Sequence, residues 1–186
     1  GGQFGGASGG SSTPMNQTLY ADIANITGVA AVEDILTASE GSSNITTSFM
    51  GRDFTTLVVD YTIEGIPLTS ELIDDYGILP TNITSGRNLL ADESGVVLLS
   101  ENNSKFFNAE VGDTITIVNE TFTVVGIYSP TSNENIQTLY ISLSDAQRIT
   151  NNTDYITSMT VFTTSSDIVE SVASSISSLH SELTVT

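Results

Sequence analysis

The chain has 186 residues with 22 acidic and four basic side chains, a formal net charge of −18. Arg52, Arg87, Lys105 and Arg148 are too few to build a basic stripe, which excludes nucleic acid as a partner and makes an anionic membrane surface a poor one. Hydrophobic residues at 39% argue for a globular acidic protein, and the absence of cysteine removes thiol catalysis, Cys-based zinc sites and disulfides.

Residues 1–13 are rich in Gly and Ser, lack periodicity and read as a flexible tether; without an initiator Met, the chain is read as an excised fragment. Thr13-Pro14 has the form of an N-cap with Pro at the first helical position. Leu19, Ile23 and Ile26 continue that helix at steps of four and three, and Gly28 closes it. A strand is expected around Val29–Thr37, then Ile45–Met50 and Phe54–Ile63 joined by a Gly51-Arg52-Asp53 turn. Thr69 caps a second helix, Leu68 staples to Ile73 across it, and Gly77 ends it.

Gly95–Leu99 reads as a short buried strand running into Ser100, the cap of a helix through Phe107. Gly112-Asp113 is a turn before a hairpin, Thr114–Val118 and Thr121–Tyr128, around Asn119-Glu120. Pro130–Asn135 is a polar loop and Leu139–Ser142 a strand. Ser144 with Gln147 makes a capping box, Thr157–Thr163 is a strand, and Asp167 with Glu170 caps a last helix; Leu183–Val185 ends the chain as a strand. Helices and strands alternate at both chain ends around a strand-rich middle, an α+β arrangement.

No catalytic set emerges. His180 is the only histidine and suits the negative end of the last helix; Asp74-Asp75 and Asp92-Glu93 point apart on a helix or turn; no Asp-x-Asp-x-Asp-Gly calcium loop is present. No catalytic residue, metal ligand or cofactor site is assigned. Seven Asn-x-Ser/Thr acceptor triplets begin at Asn16, Asn25, Asn44, Asn82, Asn102, Asn119 and Asn151, about twice what 13 Asn and 27% Ser plus Thr produce by chance. With few Lys and Arg, they point to a position outside the cell membrane.

Four segments in register add to this reading. They are Gly86-Arg87 with the acidic turn Asp92-Glu93 before Val96-Val97-Leu98; Val111-Gly112-Asp113-Thr114-Ile115-Thr116-Ile117; Phe122-Thr123-Val124-Val125-Gly126-Ile127; and Tyr140-Ile141-Ser142-Leu143-Ser144-Asp145-Ala146-Gln147. The run from Ile83 to Ile149 resembles the extracytoplasmic domain of MacB-like ABC transporter permeases, the group that includes the LolE and FtsX types. The resemblance implies an α/β porter-like lobe from residues 14–84 and 139–186, with a mainly β sabre-like lobe inserted over 85–138. It implies flanking transmembrane helices, a second permease copy and a cytoplasmic ATPase as partners, and a mechanical role with no cofactor. Gly86, Arg87, Gly112, Asp113, Gly126 and Gln147 are its structural motif residues, with Arg87 expected to pair with Asp92 or Glu93. Some family members contact an adaptor protein, and no residue here identifies that contact. The competing readings are a membrane-tethered solute- or lipid-binding module and a cell-surface interaction domain.

Overall fold

The computed structural model describes residues 14–41, 43–131 and 137–186. The expected tether and its Thr13 cap lie outside these residues, as does 132–136, most of the expected 130–135 loop.

Pro14 does not start a helix. Met15–Asn16 (β1) pairs antiparallel with Tyr155–Ile156 (β11), and Met15 packs against the main core. The helix α1 is only Leu19–Ala24, its entry turned by Asn16, whose Oδ1 accepts from the Thr18 amide at 2.9 Å. Tertiary burial of Met15 outweighs the local Thr-Pro signal.

The strand that follows is long, Val29–Glu40 (β2), and leads into a two-stranded hairpin, Ser43–Phe49 (β3) and Arg52–Val58 (β4). Its turn is Met50-Gly51, not Gly51–Asp53: both residues have positive φ, 50° and 73°, as a two-residue hairpin turn demands. The expected Phe54–Ile63 strand divides at Val59-Asp60, because β4 pairs with β3 whereas Tyr61–Ile66 (β5) returns to pair with β2. Ser70–Tyr76 (α2) has its Thr69 cap, the hydroxyl accepting from Leu72 N, and ends at a left-handed Gly77.

Ile83–Gly86 (β6), Val96–Ser100 (β7), Glu101–Phe107 (α3), Thr114–Ile117 (β8) and Glu120–Tyr128 (β9) form the strand-rich middle. Ser100 caps α3 by accepting from Asn103 N at 3.0 Å. The β8–β9 turn falls one residue early, at Val118-Asn119. Thr138–Ser142 (β10) then enters Leu143–Ile149 (α4), whose cap is Ser142 rather than Ser144. Ser158–Thr163 (β12) precedes a 3-10 turn, Ser166–Ile168, capped by Ser165 rather than Asp167, and then Val169–Leu179 (α5). The last residues form no strand; Leu183 and Val185 instead pack beside Val172 and Ile176.

Eight strands make one mixed sheet in the order β12-β2-β5-β10-β7-β9-β6, with β8 also on β9. β10 runs parallel to β5, and β7 parallel to β9. Between β10 and β7 there is one bridging pair, Tyr140 with Leu98, so the ladder nearly breaks there. The packing does not break. One cluster joins Leu36, Ile63, Leu139 and Ile141 from one half to Val97, Leu99, Ile117 and Phe122 from the other. Helix α4 lies on this face so closely that a Cβ on Gly65 of β5 would meet the Ala146 Cβ at 2.2 Å. On the opposite face Ile73 of α2 and the preceding Leu68 join a second cluster with Ile66, Leu98 and Tyr140; on the α4 face, α1 and α5 cover a third around Ile23, Val32 and Val161.

Candidate functional site

The motif residues occupy two places. Gly86 and Gly126 face each other across the β6–β9 pair. A Cβ on Gly126 would meet the Arg87 carbonyl oxygen at 1.9 Å, and one on Gly86 the Val125 carbonyl oxygen at 2.4 Å, so the backbones touch where only glycine fits. Arg87, displayed at that contact, grips Glu93 with both guanidinium arms, at 2.6 and 2.9 Å, and also donates to the Asn88 carbonyl. The Arg87 hydrogen bond is the chief reason the Glu93 carboxyl lies below its ordinary range. Asp113 closes its turn by accepting from Glu110 N at 2.9 Å, while Gly112 supplies a φ of 95° with open space around it.

Gln147 belongs to a different neighbourhood. Instead of folding back as part of a capping box, it donates to the Tyr155 carbonyl and to Gln17 Oε1. Gln17 in turn donates to Asp34 Oδ2 at 3.0 Å. This amide chain ties α4, the β1–α1 junction and β2 together and ends on a carboxylate only 3% exposed. The other oxygen, Asp34 Oδ1, is buried with no hydrogen-bond partner among the described residues. Burial is the main cause that pushes the Asp34 carboxyl up to about 6, offset in part by Gln17.

Asp34 lines an open groove of about 450 Å³ between α1 and α2, along the first half of β2. Across the sheet lie two further acids with raised pKa values. Burial, then the neighbouring Glu64, lifts Glu33 to about 7, against a hydrogen bond to Thr160; burial lifts Glu64 to about 6. Glu64 sits opposite Tyr140 in the β5–β10 register.

A polar clamp spans the weak point of the ladder. Asp145, 3% exposed on α4, accepts from Gly95 N at 2.7 Å and from Arg148 Nη2 at 2.5 Å. Arg148 also pairs with Glu120 on β9. One helix thus holds the residue before β7 and the first residue of β9.

Sequence reading missed Asp34, Glu33, Asp145 and Arg148. A signal existed for the first two: adjacent acids in the middle of the otherwise apolar Val29–Leu36 run. Asp145 and Arg148 carry no such signal, because the partners Gly95 and Glu120 lie 50 and 28 residues away. Six of the seven acceptor asparagines are exposed, and Asn102 is half-buried on α3. Among the described residues no group of three His, Cys, Asp or Glu could hold a metal ion, and no helix is long and apolar enough to cross a membrane.

Helices packed on a mixed sheet that takes strands from the start, middle and end of the chain define an α+β class of domain. The profile of the MacB-like periplasmic core domain family matches residues 2–179, and the chain belongs to that family. It is therefore an extracytoplasmic domain of a MacB-like ABC transporter permease. The fold is similar to the periplasmic region of MacB from Actinobacillus actinomycetemcomitans, at TM-score 0.61 and 22% identity over 96% of this chain and 83% of that one. It is also similar to the extracellular domain of the noncanonic ABC-type transporter YknZ from Gram-positive bacteria, at TM-score 0.59 and 16% identity over 90% and 85% of the two chains. No curated protein sequence matches significantly.

Proposed function

We propose that this domain transmits movement. ATP hydrolysis on a cytoplasmic subunit would shift membrane helices flanking the domain, and the domain would carry that shift to a substrate at the outer face, exporting or extracting it. It would work beside a second permease copy. Residues 14–84 and 139–186 would form the porter-like lobe and 85–138 the sabre-like lobe. The observation that carries the reading, beside family membership, is the joint between the sheet halves. A single bridging pair would hinge, but the common core and the Gly95–Asp145–Arg148–Glu120 clamp support a reading in which the two halves would move together. A body that passes on force needs that stiffness and no reactive group. The exposed acceptor asparagines suit an outside face on the same reading.

The test is the full-length permease with its ATPase in membranes. Arg148→Met and Asp145→Asn should each loosen the clamp. Export or extraction should fall at least several-fold while ATP hydrolysis continues. Transport left intact by both changes, in folded protein, would sink the coupling role. Loss of hydrolysis in parallel with transport would point to misassembly rather than uncoupling, and would count against the clamp as the transmitting element.

A further inference from the structure

We propose that the groove beside β2 receives a short extended peptide segment carrying a lysine or arginine, which adds as a strand along the free edge of residues 29–34.

The vacancy on that edge follows from the pairing. β12 lies against β2 from Val29 to Ile35, whereas β5 meets β2 only from Leu36 to Glu40. β5 stops at Ile66, and the next residue, Pro67, has no N–H with which to continue a ladder. In an antiparallel pair alternate residues direct N–H and C=O away from the partner, so half of the backbone groups over 29–34 face the side β5 has left. Among the described residues no strand lies there. The groove occupies that space, walled by Tyr20, Ala21 and Ala24 of α1 and by Glu71 and Leu72 of α2.

Two features select the occupant. The helix walls recess the edge, so one narrow strand can enter but the edge of another sheet cannot. The charge is of one sign: Asp34 and Glu71 line the groove, and no Lys, Arg or His does. Asp34 Oδ1 is buried and lacks a donor among the described residues, and an ammonium or guanidinium group reaching the groove floor would supply one. Main-chain bonds to β2 would give affinity, and the basic side chain, falling on one face of the added strand, would give selectivity. A small amine alone would leave the β2 edge unpaired.

The experiment titrates the chain with the acetylated, amidated peptide Val-Lys-Val-Lys-Val by isothermal calorimetry and amide NMR. In parallel it uses Val-Glu-Val-Glu-Val, the lysine peptide N-methylated at alternate residues, and lysine amide. The lysine peptide should bind and shift the amides of residues 30–34, and the acidic and N-methylated peptides should bind at least about tenfold more weakly. Asp34→Asn should weaken lysine-peptide binding by about tenfold. Ala21→Trp, a change at an exposed position of α1 that fills the groove, should abolish it. No binding of the lysine peptide at millimolar concentration would overturn the proposal. So would equal binding of the N-methylated peptide, binding untouched by Ala21→Trp, or lysine amide binding as tightly as the peptide, which would make the groove a small-amine site.

Discussion

Gly126 and Gly112 look alike in the sequence, each a glycine beside a strand-forming run. Their surroundings separate them. Gly126 has carbonyl backbone where its Cβ would stand, 1.9 Å away, and backbone cannot step aside as a flexible side chain can. Gly112 has free space and only a left-handed φ to satisfy. Gly126→Ala should therefore cost about 3 kcal/mol or more, and Gly112→Ala about 1 kcal/mol. Urea denaturation of the two variants checks the order, and equal losses would mean that β6 and β9 do not approach as described. Arg87 was partly legible at this scale: its acidic partner had to be near in sequence, and Glu93 lies six residues on. Gln147 was not, since its contacts Gln17 and Tyr155 are set by how α4 docks.

Elements were located well where a side chain speaks to its own backbone. Thr69 and Ser100 cap the helices expected of them because a cap requires only a hydroxyl and the next turn. One misplacement arose where two hydroxyls two residues apart competed. Both Ser142 and Ser144 can start α4; Ser142 does, as burial of Leu143 and Ala146 draws the preceding residue into the first turn. Ser142→Ala should lose about 1 kcal/mol, as measured by thermal or urea unfolding, and Ser144→Ala less than about 0.5 kcal/mol. The reverse ranking would restore the Ser144 capping box. Similarly, Thr13-Pro14 promised a helix that the β1–β11 pairing forbids, because the partner Tyr155–Ile156 lies some 140 residues away in the chain.

The molecule as a whole carries its charge in two ways. Most acids lie outside and keep a chain of net charge −18 dispersed in water. Glu33 and Asp34 are buried and Glu64 half-buried, and burial raises all three, Glu33 from its ordinary 4.5 to about 7. Between those two pH values the unfolded chain has released the Glu33 proton while the folded chain holds it. Folding therefore binds protons, and stability falls as pH rises from about 4.5 to about 7. The Glu33 share is on the order of 3 kcal/mol. Urea midpoints should be higher at pH 5 than at pH 7.5, and Glu33→Gln should narrow the gap by stabilising the protein at pH 7.5. A midpoint that rises towards pH 7.5 would refute this.

The sequence by itself determined the α+β class, the glycine- and valine-rich strand pattern of the middle segment, and a surface too poor in cations for nucleic acid. These are statements about composition and short-range periodicity, which local backbone preferences and average burial control. Only the tertiary structure decided that Glu33 and Asp34 lie inside, that Gly86 meets Gly126, that α4 clamps β7 and β9, and that among the described residues half of β2 has no strand on one side. Each of these depends on which distant segments come together. That choice is made by the packing of the common core, where Leu36, Leu139 and Phe122 meet from three separate stretches of chain.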